Sequence, residues 1–441
     1  MKLPNGSTDA NMEEAQPKTE ADSSSPESPR EDEISPIPHI PAPPDGGFTA
    51  WLHVGLAHMV FFNTWGIANS FGVFQQYYTE TLTGVSPSSI GWIGGTQMFL
   101  LFFGGVVSGR ATDAGYFRHC FCFGVAMQVF GMLMASLAKE YYQILLSQGI
   151  CVGLGSGFVF TPALSVMSSY FKTKRSLAVG IAAAGSSTGG MVYPAMVNSL
   201  LRHSSVGYGW TMRIFAFIML ATQVPSLIAY RPYLPKRAAG PFVDWSAFRQ
   251  KSWVFFAVGM FLNFWGLYLA FFYLGIYTRE TFHLESSANL LIVLNGVSAI
   301  GRIVPNVLGE RYTGILNMTI LVSLVCALLI YCWAAIRSVT GLYVWAVAYG
   351  IFAGGIQALF PALATQQAPE PDKVGTWTGM TLTMVSFAGL TLGPIDGAII
   401  KANGGSYLGA QIFSGTSMIL GAILLTLSRC SRVGTSWRAK V

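Results

Sequence analysis

Beyond Pro44 the chain breaks into apolar runs of about 20 residues, the length that crosses roughly 30 Å of hydrocarbon at 1.5 Å per helical residue. Twelve can be counted, over 51 to 75, 89 to 109, 119 to 138, 143 to 168, 177 to 200, 210 to 230, 253 to 276, 287 to 309, 314 to 336, 341 to 364, 375 to 400 and 407 to 428. Each is predicted to be a transmembrane helix.

The second six runs repeat the first six at an offset of about 200 residues. Asn63-Thr64-Trp65-Gly66 returns as Asn263-Phe264-Trp265-Gly266, and Phe160-Thr161-Pro162-Ala163-Leu164 as Leu359-Phe360-Pro361-Ala362-Leu363. Gly180 and Pro194 likewise answer to Gly379 and Pro394. Several matches in one order at nearly one offset point to duplication of a large unit. The expected fold is an all-α membrane protein of twelve transmembrane helices in two six-helix parallel repeats. Its divisions are a tail over 1–44, a first bundle over 45–230, a linker over 231–252, a second bundle over 253–428 and a tail over 429–441. Transporters with repeats of this kind hold their substrate near the midplane, at the repeat interface.

Composition and charge sharpen this picture. Only 10% of the residues are charged, against roughly 25% in soluble domains, while 52% are hydrophobic, which excludes a soluble fold. Residues 1–44 hold nine acidic residues against three basic ones and are rich in Ser and Pro, so this tail is expected to be disordered. It contains no apolar stretch that could serve as a secretory signal. With the amino terminus inside, sixteen Lys and Arg fall on the cytoplasmic side and six opposite, which predicts both termini in the cytoplasm. Cys120-Phe121-Cys122 has no His or second Cys pair at metal spacing, so no metal or cofactor is expected. Without a Walker motif, or a nucleophile and base at helical spacing, the chain does not read as an enzyme.

Candidate chemistry lies at two kinds of place. After the second run stands Gly109-Arg110-Ala111-Thr112-Asp113-Ala114-Gly115, followed by Arg118, and at the matching place in the second repeat Leu308-Gly309-Glu310-Arg311-Tyr312-Thr313-Gly314. A carboxylate beside an arginine at a tight turn can clamp helix ends in one state and release them in another. Arg110, Asp113, Arg118, Glu310 and Arg311 are therefore gating candidates, the alternative being a plain turn with cytoplasmic arginines. Inside the runs, Asn69, Asn263, Tyr268, Asn295, Arg302 and Gln357 are candidates for substrate contact, together with Asn63; bonding between helices is the alternative for each.

Arg302 lies fifteen residues into its run, roughly 22 Å from the outer edge. Three readings are open to it: a substrate or gating role, a structural pair near the cytoplasmic side, and snorkelling to the surface. Asp396 follows the break at Gly393-Pro394. It either binds a proton or cation in an outer vestibule, or is solvated at the mouth or paired with Lys401. The repeated aromatics Trp65, Phe160, Trp265 and Phe360 favour a flat or aromatic solute, unless the repetition reflects shared packing alone.

Two motifs stand at helix entrances: Asp45-Gly46-Gly47-Phe48-Thr49-Ala50-Trp51, and Tyr170-Phe171-Lys172-Thr173-Lys174-Arg175-Ser176-Leu177-Ala178-Val179-Gly180. With Asn69-Ser70-Phe71-Gly72-Val73-Phe74-Gln75-Gln76-Tyr77-Tyr78, they resemble the major facilitator superfamily and, more narrowly, its monocarboxylate transporter family in the branch common in fungi. The first motif has one residue more than the family's Asp-Gly-Gly-aromatic-Gly-Trp signature. The resemblance covers residues 45 to about 430. Asp45 suits the positive end of a helix dipole, and Trp51 an interfacial anchor, so both motifs read mainly as structural or gating.

The residues that carry carboxylate chemistry in that family are where the chain departs from it. Asn69 stands where the resemblance implies a lysine, and Ser298 where it implies an aspartate, while Arg302 is retained. Proton-coupled uptake of small monocarboxylates is therefore an alternative only. The expected function is secondary active transport, by alternating access, of a larger organic anion, vitamin or secondary metabolite. A solute sensor that does not transport is a reading of another class. Expected partners are a small organic solute and the lipid bilayer, with a co-transported proton left open and no nucleic acid. A monomer is expected in the plasma membrane, with an organelle membrane as the alternative.

Overall fold

The computed structural model describes residues 43–202, 206–233, 240–284, 288–370, 373–434, 436, 439 and 440. The tail expected to be disordered, up to residue 42, lies outside the described residues, as do Lys236 and Arg237 of the linker. Among the described residues there is no strand. The chain runs α1 (Gly47–Asn63), α2 (Trp65–Asn69), α3 (Phe71–Thr81), α4 (Pro87–Ala111), α5 (Phe117–Ala135), α6 (Tyr141–Ile144), α7 (Gly153–Ser169), α8 (Arg175–Val197) and α9 (Gly207–Ala229). After the linker come α10 (Lys251–Leu267), α11 (Leu269–Phe282), α12 (Ala288–Leu308), α13 (Ile315–Ala334), α14 (Val339–Thr365), α15 (Val374–Ala402) and α16 (Leu408–Val433).

Every expected span falls on a helix or on consecutive helical segments. The first span is one rod broken twice, at Thr64 and Ser70, whose hydroxyls bond back to the carbonyls of Val60 (2.8 Å) and Gly66 (2.6 Å). Such back-bonding competes with the helix ladder and bends it. The first rod of the second half is interrupted at the corresponding depth, at Tyr268 between α10 and α11. Pro162 of α7 and Pro361 of α14 occupy matching helices, as do Pro194 of α8 and Pro394 of α15, so the repeat seen in sequence is a repeat of helix shape.

Nine stretches among the described residues are long and apolar enough to cross a membrane. One of them, Pro87–Ala135, folds back on itself in a wide turn where Gly115 takes φ 93°, a conformation open to glycine. The first rod is divided into pieces of at most 17 residues, and Arg175–Val197 is built largely of Gly, Ala and Ser, which explains why neither stands out by hydropathy.

The halves meet along two seams, α4 against α15 and α8 against α12. Both seams run on small residues. A Cβ at Gly91 would strike the backbone of Gly393, one at Gly95 the carbonyl of Leu390, and one at Gly190 the side chain of Asn295. Backbones this close can slide with few side chains in the way. At one end of the bundle α3 also packs on α11, with the rings of Phe71 and Phe272 5.0 Å apart. At the other end the halves stand apart around a cavity.

Candidate functional site

The cavity has a volume of about 1120 Å³ and draws its walls from both halves. Its mouth carries Arg110, Asp113, Lys172, Arg175, Glu310 and Lys440, all on the side that the charge count assigns to the cytoplasm. Its depth is aromatic. Phe61, Trp65, Phe102 and Phe160 come from the first half, Phe264 and Phe360 from the second. Phe102 joins the two sets, with its ring 5.0 Å from Trp65, 5.7 Å from Phe264 and 5.9 Å from Phe360.

Arg302 stands in this wall. It is 2% exposed, its Nη2 donates to Gln357 Oε1 at 2.5 Å, and its Nε donates to Ser187 Oγ at 2.9 Å. Ser187 and Ser298 share a hydrogen bond of 2.6 Å, and Asn69 Nδ2 donates to the same Gln357 oxygen at 3.4 Å. Among the described residues no carboxylate pairs with Arg302. A guanidinium has five N–H donors, and only neutral acceptors meet two of them. A buried cation held this way costs several kcal/mol unless an anion offsets it. Neither snorkelling nor a structural ion pair, two of the readings open from the sequence, matches this geometry.

The other candidates divide. Gln357 lines the cavity, and Asn69 reaches it through Gln357. Tyr268 is fully buried beside Arg302, and its hydroxyl has no hydrogen-bond partner among the described residues. Asn263 instead donates to the carbonyl of Gly259 and faces Gly421 of α16. Its counterpart Asn63 bonds Thr222 of α9 and Tyr193 of α8, so the repeated asparagine serves packing inside each half. Asn295 lies in the α8–α12 seam against Gly190. Trp265 points away as well, bonding Thr391 at 3.0 Å, and Phe264 takes its place at the cavity. Ser187 is not among the candidates from the sequence, since nothing in the run Gly185-Ser186-Ser187-Thr188-Gly189-Gly190 sets one hydroxyl apart from the next.

Asp396 is neither solvated at a mouth nor paired with Lys401. It is 0% exposed, and among the described residues both carboxyl oxygens lack a partner.

At the mouth, Arg110 donates to the carbonyls of Gly240 and Pro241 and stacks 4.1 Å over Phe242, so it holds the linker. Asp113 faces Gly375 at the start of α15, and Glu310 acts on Arg175 at the start of α8. Each turn thus sends its carboxylate toward the first turn of a helix in the opposite half, where the helix dipole is positive. Arg118 is exposed, with no hydrogen bond or ion pair among the described residues. Arg311 lies 5.3 Å over Tyr312.

The two signature motifs are one device. Asp45 accepts from the backbone N–H of Lys172 (2.8 Å) and Thr173 (2.9 Å) and from the Thr173 hydroxyl. These bonds, the Thr173 hydroxyl foremost, hold its carboxyl well below the usual carboxylate range. In the second half Asp244 stands just before α10 and accepts from Trp377 Nε1 of α15 at 3.0 Å. Bonds from Ser246 first, then from Trp377, hold Asp244 down to about 2.

A family model described as Major Facilitator Superfamily matches residues 56–394. The chain belongs to the Major Facilitator Superfamily. It is 43% identical over 398 residues to an "MFS-type transporter" of Gibberella zeae, covering 89% of each chain. It is 37% identical over 383 residues to an aspyridones efflux protein of Emericella nidulans, covering 86% of this chain and 78% of the relative. It is 38% identical over 402 residues to an agnestins efflux protein of Paecilomyces divaricatus, covering 88% and 89%. Among solved structures it superposes on the human organic anion transporter MFSD10 with a TM-score of 0.62 at 14% identity, covering 86% of this chain and 98% of that one. A POT family transporter gives 0.66 at 14% identity, covering 90% and 99%. At such identity these two establish the fold of this superfamily member and nothing finer. It is a membrane transporter rather than an enzyme.

Proposed function

We propose that the chain crosses the membrane twelve times and exports an organic anion with a broad, flat apolar body, as two six-helix halves rock about their glycine seams. On this reading the cavity faces the cytoplasm, as the excess of Lys and Arg on that side supports, and the opposite end is shut. The carrying observation is Arg302, a buried cation in the cavity wall with only neutral protein partners. A bound anion offsets the cost of that burial, and the rings around it match an aromatic or conjugated solute by stacking. Fungal relatives named as efflux proteins for secondary metabolites support export of such compounds. Small monocarboxylates fit less well, since a lactate-sized solute leaves most of a cavity of about 1120 Å³ unfilled.

The test uses the purified chain in proteoliposomes with a panel of flat aromatic carboxylates, their methyl esters, and short aliphatic acids. The aromatic acids are expected to be transported in preference to the other two groups. In Arg302→Gln affinity for them falls roughly ten- to a hundredfold, the worth of about 1.5–3 kcal/mol for hydrogen bonds to a charged group. Equal handling of acid and ester by the wild type sinks this assignment.

A further inference from the structure

We propose that Asp396 is a proton-binding latch of the sealed end: it holds a proton while that end is shut and exchanges it only with the compartment on that side, when the end opens. The proposal rests on the alternating-access reading above.

Asp396 is set within the seal itself. On the same helix, Pro394 accepts a hydrogen bond from Ser88 at 2.7 Å, Gly393 abuts Gly91, and Gly397 abuts Ser88 and the hydroxyl of Tyr273. The titratable groups that act electrostatically with Asp396 are Tyr273 of α11 and Tyr349 of α14. Both hydroxyls are already given to backbone carbonyls, Tyr273 to Gly393 and Tyr349 to Leu267, each at 2.6 Å. Among the described residues the contacts of the remaining neighbouring elements at this level are neutral. From α4, Ser88, Gly91 and Gly95 meet α15, and Trp265 of α10 bonds Thr391. Gln75 of α3 contributes a neutral amide. Tyr407, just before α16, is bonded to Glu280, and Lys401 is exposed.

A carboxylate with no donor, no cation and no water access is among the costliest groups to bury, whereas the neutral acid is far cheaper. The closed seal therefore selects the protonated form. The cavity at the opposite end reaches along α15 only to Leu382, fourteen residues before Asp396 and roughly 21 Å away along the helix. No proton passes between the carboxyl and that cavity. When the seal opens, water reaches Asp396, its O–H bond gives up the proton to that water, and the carboxylate is solvated. Acid on the sealed side then holds the seal shut, and alkali favours opening.

The full chain, with its native cysteines replaced, is placed in lipid nanodiscs and spin-labelled in pairs. Thr83→Cys with Asn403→Cys spans the sealed end, and Ser168→Cys with Gln366→Cys spans the open one. In the wild type the open-to-closed ratio at the sealed end is expected to rise with pH, by up to about tenfold per unit for one coupled proton. Asp396→Asn, the neutral isostere, stays closed with no slope, and Asp396→Glu restores a slope. A flat wild type, or an unchanged slope in Asp396→Asn, overturns the latch. If the two label pairs do not move reciprocally, alternating access itself fails. Reciprocal movement with a pH slope independent of residue 396 defeats the latch alone.

Discussion

The two ends of the central pathway are built on opposite principles. The sealed end is close-packed: Gly72 lies beneath the carbonyl of Phe271, Gly91 on Gly393 and Gly95 on Leu390, around the carboxyl of Asp396, which has no partner among the described residues. An ion pair, Arg279 with Glu80, stands at the rim, with both side chains more than a third exposed. The open end is charged and exposed, with Arg110 on backbone carbonyls of the linker and the carboxylates of Asp113 and Glu310 directed at helix starts. A seal made of backbone contact is all-or-none, because one added methyl group separates the halves. A gate made of exposed charges is graded, because exposed pairs are worth about 0–1 kcal/mol each. On the proposed rocking of the halves, opening would be governed by steric fit at one end and by small electrostatic biases at the other.

The largest effect is therefore expected at the seal. Gly95→Leu places a side chain where even a Cβ collides with Leu390, and overpacking of this kind costs up to about 3 kcal/mol, or roughly a hundredfold in the open-to-closed ratio. The rate at which a thiol reagent modifies Ser88→Cys measures that ratio and should rise accordingly. Gly104→Ala is the control, since the atoms nearest its Cβ lie 3.6 Å away. If Gly95→Leu leaves Ser88→Cys as protected as in the parent, the seam is not the seal.

An intermediate effect is expected from the Asp45 clamp, which fixes the entrance of α1 to the loop before α8 at the rim of the cavity, where Lys172 stands. Its folded carboxyl sits below the ordinary value of about 3.9, so the stability it contributes is complete above that value and is lost as pH falls through the lower folded one. Asp45→Asn should melt below the wild type at neutral pH in detergent, and the gap in Tm should narrow progressively as pH falls from about 4 toward the lower folded value. A gap that stays the same across that range would assign the effect to shape and not to charge.

Much of this comparison could be read from the sequence, for a physical reason. Helix length and the repeat follow from lipid thickness and gene duplication, both of which mark every helix, so the spans and the matching prolines fall where periodicity puts them. Which glycines form the seams was not legible, because Gly190 meets the opposite half while its neighbours Gly185 and Gly189 pack on α1 and α2. Nor was it legible which polar residue faces the cavity, because a rotation of one position on a helix separates Phe264 from Trp265, and a duplicated Asn63 and Asn263 look alike whether they serve ligand or packing. Asp396 misled for a related reason. Hydropathy places it near a helix end and suggests water, whereas close packing of α15 on α4 and α11 closes the seal over it. The Asp45 and Asp244 clamps are 199 positions apart, so the second could have been found by applying the repeat offset to the first.

The smallest effects are expected at the open mouth, where they sharpen the contrast with the seal. Glu310 is exposed and acts on Arg175 across the halves, so Glu310→Gln should shift the balance by at most about 1 kcal/mol, roughly fivefold, toward the wider mouth. The shift should shrink as salt is raised, because screening acts on exposed charges within about 10 Å at 0.1 M. Arg118, exposed and unpaired among the described residues, should shift nothing on conversion to Ala. Distances between labels at Ser168 and Gln366, taken at low and high salt, decide both. A salt-independent change in Glu310→Gln would mean that the mouth, like the seal, is held by fit, and the two ends would no longer differ in kind.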